Sequence, residues 1–191
     1  MKHDKSSAEF FENKYQHNRD PWRFLTAEYE INRYKTIINA LSHRRFKFVF
    51  EPGCSIGILT QKLAQLADDV LAIDFSLSAT LEAKKKCAEL PNVCIENLSL
   101  DSIVLPRNPD LIVFSEIGYY YDEEDLRIIL TSLLNQSAPN ATFLASHWLG
   151  FSEDHVLRGH DVHKIIGSIP GLTLEYHEQN PGFQLDRWSI E

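Results

Sequence analysis

The sequence has little cysteine, no long apolar run and fewer basic than acidic residues. Its three cysteines, Cys54, Cys87 and Cys94, form neither a CxxC pair nor an even framework. That excludes a disulfide scaffold and points to thiols in a reducing compartment. No apolar stretch approaches a membrane span, and the N-terminal MKHDKSSAEFFENKY lacks the apolar centre of a signal peptide. The expectation is a cytoplasmic chain with no membrane partner. There is no internal repeat, no low-complexity tract and no Gly/Ser/Pro-rich linker. Nineteen Lys and Arg face 27 Asp and Glu, for a net charge of -8, which argues against a nucleic-acid partner. What is present is an ordinary globular composition, 43% hydrophobic and 24% charged, in 191 residues. That length suits one domain with a full core.

Apolar spacing along the chain alternates between two periods. Tyr29, Ile31, Tyr34, Ile37, Ile38 and Leu41 predict a helix over 27–41, after a polar stretch of about 20 residues expected to be mobile. The apolar run at 46–50 reads as a buried strand, followed by a helix over 57–67. Strands at 70–73, 93–95, 111–114 and 142–146 then alternate with helices at 78–90, 123–134 and 162–169. Residues 172–177 and 183–190 flank Asn180-Pro181-Gly182, a hairpin turn signal. Strands separated by helices imply an α/β, doubly wound, mostly parallel sheet, and the closing hairpin adds at least one antiparallel strand.

The strongest chemical signal is Glu51-Pro52-Gly53-Cys54-Ser55-Ile56-Gly57, at the carboxyl end of the first strand, where ligands bind in such sheets. Gly53 allows close approach of the backbone to a ligand, and Gly57 allows helix and strand to pack tightly. The Gly-x3-Gly spacing is not the GxGxxG of a dinucleotide pyrophosphate site. Glu51 would repel phosphate and attract a cation. Asp74, ending the second strand about 20 residues after the loop begins, is placed to accept both ribose hydroxyls of a nucleoside; Ser76 beside it reads as a helix N-cap. Together these motifs describe a nucleoside joined to something cationic without a pyrophosphate, and S-adenosylmethionine fits that description.

In these residues the chain resembles the class I S-adenosylmethionine-dependent methyltransferases, with EPGCSIG as their glycine motif and AIDFS as their ribose motif. More narrowly it resembles the NodS-like nodulation methyltransferases, through DPWRF at 20–24, NRYKTIINAL at 32–41, GCSIG at 53–57, SEIGYYY at 115–121 and SHW at 146–148. The helix start at 159–163 and LDRWSIE at 185–191 match too, so the resemblance covers roughly 20–191. It implies a Rossmann-like, seven-stranded sheet with an antiparallel C-terminal strand in a single domain, with 1–42 as a helical lid and 43–191 as the α/β core. It also implies S-adenosylmethionine as cofactor, held by Trp22, Arg33, Glu51, Gly53, Cys54, Ser55, Gly57, Asp74, Phe75, Ser99, Leu100 and Ser115. Ser55 stands where many members carry a glycine. Near Ser99 many carry an acid for the adenine amino group, a role left here to Ser99 or Asp101. NodS-like members N-methylate the free amine of a de-N-acetylated glucosamine in a chitooligosaccharide, so the implied partner is a small-molecule or amino-sugar amine.

Acceptor chemistry is expected after the fourth and fifth strands. Glu116 either takes a proton from an amine or orients its loop. His147 either serves as general base or is a hydrogen-bonded strand-end residue. Tyr119 joins them as a catalytic candidate, with Tyr120 and Trp148 as aromatic faces for a sugar or a cationic amine; the competing reading of the three tyrosines at 119–121 is a packed aromatic cluster. No Asn-Pro-Pro-Tyr-like segment follows the fourth strand, which argues against methylation of nucleobases or glutamine amides. Arg33 either pairs with the cofactor carboxylate or packs on its helix with a solvated head. His155, His160 and His163 fit no compact zinc spacing, Asp161 reads as a helix N-cap, and no metal is expected. Three functions stay open: an amine methyltransferase, a methyltransferase for another small acceptor (amine, hydroxyl or carboxylate), and a non-catalytic cofactor-binding protein.

Overall fold

In a computed structural model, which describes residues 7–191, the chain folds into two compact units, residues 7–103 and 104–191. The first holds α1 (Ala8–His17), α2 (Glu28–Leu41), β1 (Phe46–Pro52), α3 (Ile58–Leu63), β2 (Ala67–Asp74), α4 (Leu77–Lys86) and β3 (Val93–Asn97). The second holds β4 (Leu111–Ser115), a 3-10 turn at Gly118–Tyr120, α5 (Glu123–Asn135), β5 (Thr142–Trp148), α6 (Gly159–Gly167), β6 (Leu172–Gln179) and β7 (Phe183–Ile190). All seven strands belong to a mostly parallel sheet, as expected.

Within the first unit the strand order is β3-β2-β1, all parallel. Within the second it is β4-β5-β7-β6, where β7 runs against both neighbours. β1 and β4 are buried almost throughout, which is why they read as continuous apolar runs rather than alternating ones. Phe46, Phe50, Leu111 and Phe114 are fully buried. Caps set several helix starts: Ser76 accepts from the Ala79 amide and Asp122 from the Asp125 amide. Lys84, Lys85 and Lys86 end α4, and Glu123, Glu124 and Asp125 open α5, each sign matching the helix dipole at its terminus.

Three expectations need correction. The helix expected over 57–67 stops at Leu63: the Leu66 amide turns back to the Leu63 carbonyl, and Arg45 holds Asp68 and the Ala67 carbonyl so that β2 starts at Ala67. The last helix begins at Gly159 rather than 162, with Arg158 in the capping position. Asp161 is therefore not the N-cap but a first-turn acid, where it still favours the dipole. The polar N-terminal stretch, whose residues 1–6 lie outside the described residues, carries a helix from Ala8 onward instead of mobile chain.

Ser7 caps that helix, and Glu12 fastens it elsewhere. One Glu12 oxygen accepts from the Ser76 hydroxyl (2.6 Å) and the Ser78 amide (3.1 Å), the other from the Ser78 hydroxyl (2.6 Å). Partial burial works against the charged form, but these hydrogen bonds prevail and hold the Glu12 carboxyl at about 2. Its folded value lies below its unfolded one, so this stabilisation is complete above the unfolded value of 4.5 and disappears as pH falls toward 2. Glu12→Ala should therefore loosen α1 by about 1–2 kcal/mol at neutral pH. Amide hydrogen exchange over 8–17 should accelerate roughly five- to thirtyfold, with β1 and β2 unaffected; unchanged exchange in α1 would refute the fastening.

Candidate cofactor and acceptor sites

The candidate residues of the first unit gather around the ends of β1 and β2. After Pro52 the chain turns through Gly53 (φ 73°), Ser55 (φ 50°) and Gly57 (φ 79°), three left-handed residues in five. Amides of Gly53 and Cys54 both donate to the Ile73 carbonyl, at 2.8 and 2.9 Å, which draws the loop over the end of β2. At Gly57 a Cβ would come within 3.0 Å of the Ala83 Cβ and 3.1 Å of its Cα, so a side chain there would push α4 away. The tight packing at Gly57 is thus of the loop against α4, not of a helix against a strand as expected. Ser55 occupies a conformation that costs a non-glycine residue about 1 kcal/mol or more, and two partners hold it there. Its amide donates to Asp74 Oδ2 (2.9 Å), and its hydroxyl is hydrogen-bonded to that of Tyr15.

Asp74 is buried, and its other oxygen accepts from the Ser76 amide at 2.9 Å. Burial raises its carboxyl to about 6 against the pull of these two amides, so it is ionised at neutral pH. Each carboxylate oxygen retains an unused lone pair, which is what a ribose diol requires. Glu51 is also buried, and it accepts from the Thr60 hydroxyl at 2.6 Å. Burial raises it to about 8; the Thr60 bond and the Arg33 charge oppose the rise without reversing it. Burial likewise pushes the Cys54 thiol well up, leaving it unreactive.

Arg33 is not solvated. It is 2% exposed and ion-paired with Glu30 at 2.5 Å. Trp22 packs on Tyr15 and Phe24, with ring centroids 5.5 and 5.6 Å away, and Phe75 meets Phe11 edge-on at 5.5 Å. Leu100 is buried, whereas Ser99 is exposed and directs its hydroxyl to Asp101 at 3.1 Å. The sequence reading missed Tyr15 and Glu12, because neither belongs to a motif and both act through partners at least 40 residues away.

The second unit brings its candidates together as well. Ser115 and Ser146 are register partners on β4 and β5, and the Ser146 hydroxyl is buried with no hydrogen-bond partner among the described residues. Glu116 follows with φ 60°, the second candidate residue after Ser55 to hold a strained, left-handed backbone. Its carboxylate accepts from the Trp148 amide (2.7 Å) and from the Tyr119 hydroxyl (2.8 Å). Tyr119 stacks on His155, centroids 3.7 Å apart, and meets Tyr120 edge-on at 4.9 Å. Trp148 stands edge-on to His155 at 6.0 Å. Burial, then the negative charges of Asp154 and Glu116, push the Tyr120 hydroxyl far up and keep it neutral. The result is an aromatic wall set beside two carboxylates. Asp154 escaped the sequence reading because the loop after β5 carries no periodic pattern, and His155, weighed there only as a metal ligand, is instead the stacking partner of Tyr119.

His147 is fully buried, and its Nε2 accepts from the Gly118 amide at 3.1 Å. His160 lies 3.3 Å from Gln184, and His163 lies 2.6 Å from Asp186. No helix among the described residues is long and apolar enough to cross a membrane.

A glycine loop after β1, an acid ending β2 and a reversed β7 define the Rossmann-like fold of class I methyltransferases. Solved structures agree. The N-methyltransferase NodS from Bradyrhizobium japonicum WM9, in complex with S-adenosylhomocysteine, superposes with a TM-score of 0.83 at 21% identity, over 96% of this chain and 98% of that one. A candidate methyltransferase from Pseudomonas syringae is 30% identical over 85% of this chain and 99% of its own, with a TM-score of 0.73. The profile of the Nodulation protein S (NodS) family matches residues 5–161, and the chain belongs to that family. Nodulation protein S from Bradyrhizobium diazoefficiens is 25% identical over 128 residues, which are 65% of this chain and 61% of that protein. The match thus spans less than two thirds of the curated relative.

Glu51 sets the pH response of the first unit. Its carboxyl lies near 8 when folded and 4.5 otherwise, so the folded state holds the extra proton and stability falls as pH rises between those values. Asp74 contributes the same sign at lower pH, up to about 6. Between pH 6 and 8 the slope therefore belongs to Glu51. Glu51→Gln should flatten the fall in melting temperature over that interval and leave the variant more stable than the parent at pH 8.5. Parallel pH profiles for the two proteins would refute the raised value.

Proposed function

We propose that this chain is an S-adenosylmethionine-dependent N-methyltransferase whose acceptor is the amine of a small molecule, an amino sugar being the favoured class. Family membership supports the reaction type, and the Glu116 carboxylate beside Tyr119, Tyr120, Trp148 and Asp154 carries the acceptor assignment. Aromatic faces with carboxylates nearby suit a cationic amine and stack on a sugar ring. The three free thiols suit a reducing cytoplasm.

The cofactor half fits the group through its own atoms. Asp74 offers open lone pairs to the ribose hydroxyls, the loop beside it turns left-handed at Gly53, Ser55 and Gly57, and buried Glu51 ends β1 with a carboxyl that a neighbouring cation would draw toward its ionised form. When bound, the cofactor supplies a methyl group on a sulfonium that leaves readily. The protein has to orient the acceptor, exclude water and remove a proton. Transfer forms the N–C bond as the C–S bond breaks. An amine arrives as ammonium and must lose its proton to expose the lone pair. Glu116 takes that proton, its carboxylate aimed by the hydrogen bonds from the Trp148 amide and the Tyr119 hydroxyl. α1 and Trp22 cover the loop that holds the cofactor.

The decisive experiment supplies labelled S-adenosylmethionine with de-acetylated or fully acetylated chitooligosaccharides. Label should enter only the former, and Glu116→Gln should lower kcat/KM by about 100-fold or more without weakening cofactor binding. Cofactor binding without transfer to any amine would favour the non-catalytic reading; transfer to hydroxyl or carboxylate acceptors alone would favour a different substrate class.

A further inference from the structure

Four elements of the second unit place polar side chains in one buried line. β5 contributes His147, α6 His163 and β7 Asp186, exposed by 0, 4 and 3%. β6 contributes His177, directly opposite Asp186 in the register and exposed at its rim. His147 Nδ1 lies 3.2 Å from His163 Nε2, and His163 Nδ1 lies 2.6 Å from Asp186 Oδ2. Gln184 Nε2 donates to the same Asp186 oxygen at 2.6 Å, and His177 Nδ1 lies 2.5 Å from the other.

Both ends of this line have a fixed polarity. The Gly118 amide can only donate, so His147 Nε2 carries no proton. A neutral His147 then has its proton on Nδ1 and donates it to His163 Nε2, which must also be bare. His163 accordingly donates from Nδ1 to Asp186. Burial favours the same outcome by lowering His163. At Asp186 burial works to raise the carboxyl, but the hydrogen bonds from His163, His177 and Gln184 hold it below its usual value, as an acceptor. One arrangement of protons satisfies every member. A proton added to His147 would set Nε2–H against the Gly118 N–H.

The opposite end reaches the acceptor site. Gly118 lies two residues from the strained Glu116 and precedes Tyr119. It is sealed from behind as well: a Cβ there would fall 2.5 Å from Val162 Cγ1 and 2.9 Å from His147 Nε2. α6 and His147 together press the turn into place.

We propose that Asp186 and His163 fix the tautomer of His147, and that His147 serves as a positioning residue holding the Glu116–Tyr119 turn through the Gly118 amide, not as a proton acceptor for substrate. The proposal rests on the reading of Glu116 as the group that meets the amine. It reassigns His147 from the general-base role weighed in the sequence, because the nitrogen such a base would use is occupied by the backbone.

The test has two arms. Nitrogen-15 NMR of the intact protein should find His147 and His163 both protonated at Nδ1 and bare at Nε2; Nε2–H on either ring overturns the proposal. This arm needs no turnover, so it stands apart from any failure of the methyltransferase reading. In the kinetic arm, His147→Ala should lower kcat for the amine by about 10- to 100-fold with cofactor affinity unchanged. His147→Gln, whose side-chain oxygen can accept from Gly118, should recover at least about tenfold of that loss. A glutamine variant as impaired as the alanine one would identify His147 as a proton acceptor, and an alanine variant with parental kcat would remove any role; either result overturns the proposal.

Discussion

Two backbone amides converge on the carboxylate of Asp74, one from the loop after β1 and one from the start of α4. Much of the first unit depends on that convergence. A buried carboxylate is costly unless it is hydrogen-bonded, and an amide in a left-handed turn needs an acceptor within reach. Each requirement answers the other. Ser55 can adopt a conformation suited to glycine because Asp74 accepts from its amide, and Asp74 stays ionised at neutral pH despite its burial because both amides point at it. Remaining parts of the unit hang on these turns: Ser76 caps α4 and donates to Glu12, and Tyr15 reaches the hydroxyl of Ser55.

The second unit solves a related problem with a longer chain of bonds. Glu116 holds a strained backbone within a half-buried aromatic cluster, a state that persists only when its surroundings over-determine it. Constraint comes from in front through Trp148 and Tyr119, and from behind through Gly118, Val162 and His147. In both units, then, a left-handed non-glycine residue stands where ligand chemistry is proposed, and in both it is locked by an acid. At Ser55 the acid is a neighbour; at Glu116 it is the residue's own side chain.

Most of the architecture was legible in sequence because it is written in local periodicity. The apolar runs of β1 and β4 and the spacing of Tyr34, Ile37 and Leu41 in α2 needed no tertiary information. The glycine loop and Asp74 were legible too, since short spacings around a strand end imply backbone geometry. What escaped was non-local. α1 buries only Phe11 and Tyr15 and is fastened by serines 64 and 66 residues away. The state of His147 is tied to Asp186 through His163, a residue on another element. No window of sequence contains those partners. Arg33 was misjudged in one alternative for a similar reason: its burial depends on how α2 packs, although its partner Glu30 lies one helical turn away.

The formal charge of -8 counts every acid as ionised. With its carboxyl near 8, Glu51 is mostly neutral at pH 7, so the free protein is about one unit less negative than the count implies. A ligand with one net positive charge, were it seated beside Glu51, would favour release of that proton. Binding would then become an exchange of one cation for another, and the complex would carry the same total charge as the empty protein. Long-range attraction contributes little to such an equilibrium, so its constant should vary weakly with ionic strength and steeply with acidity.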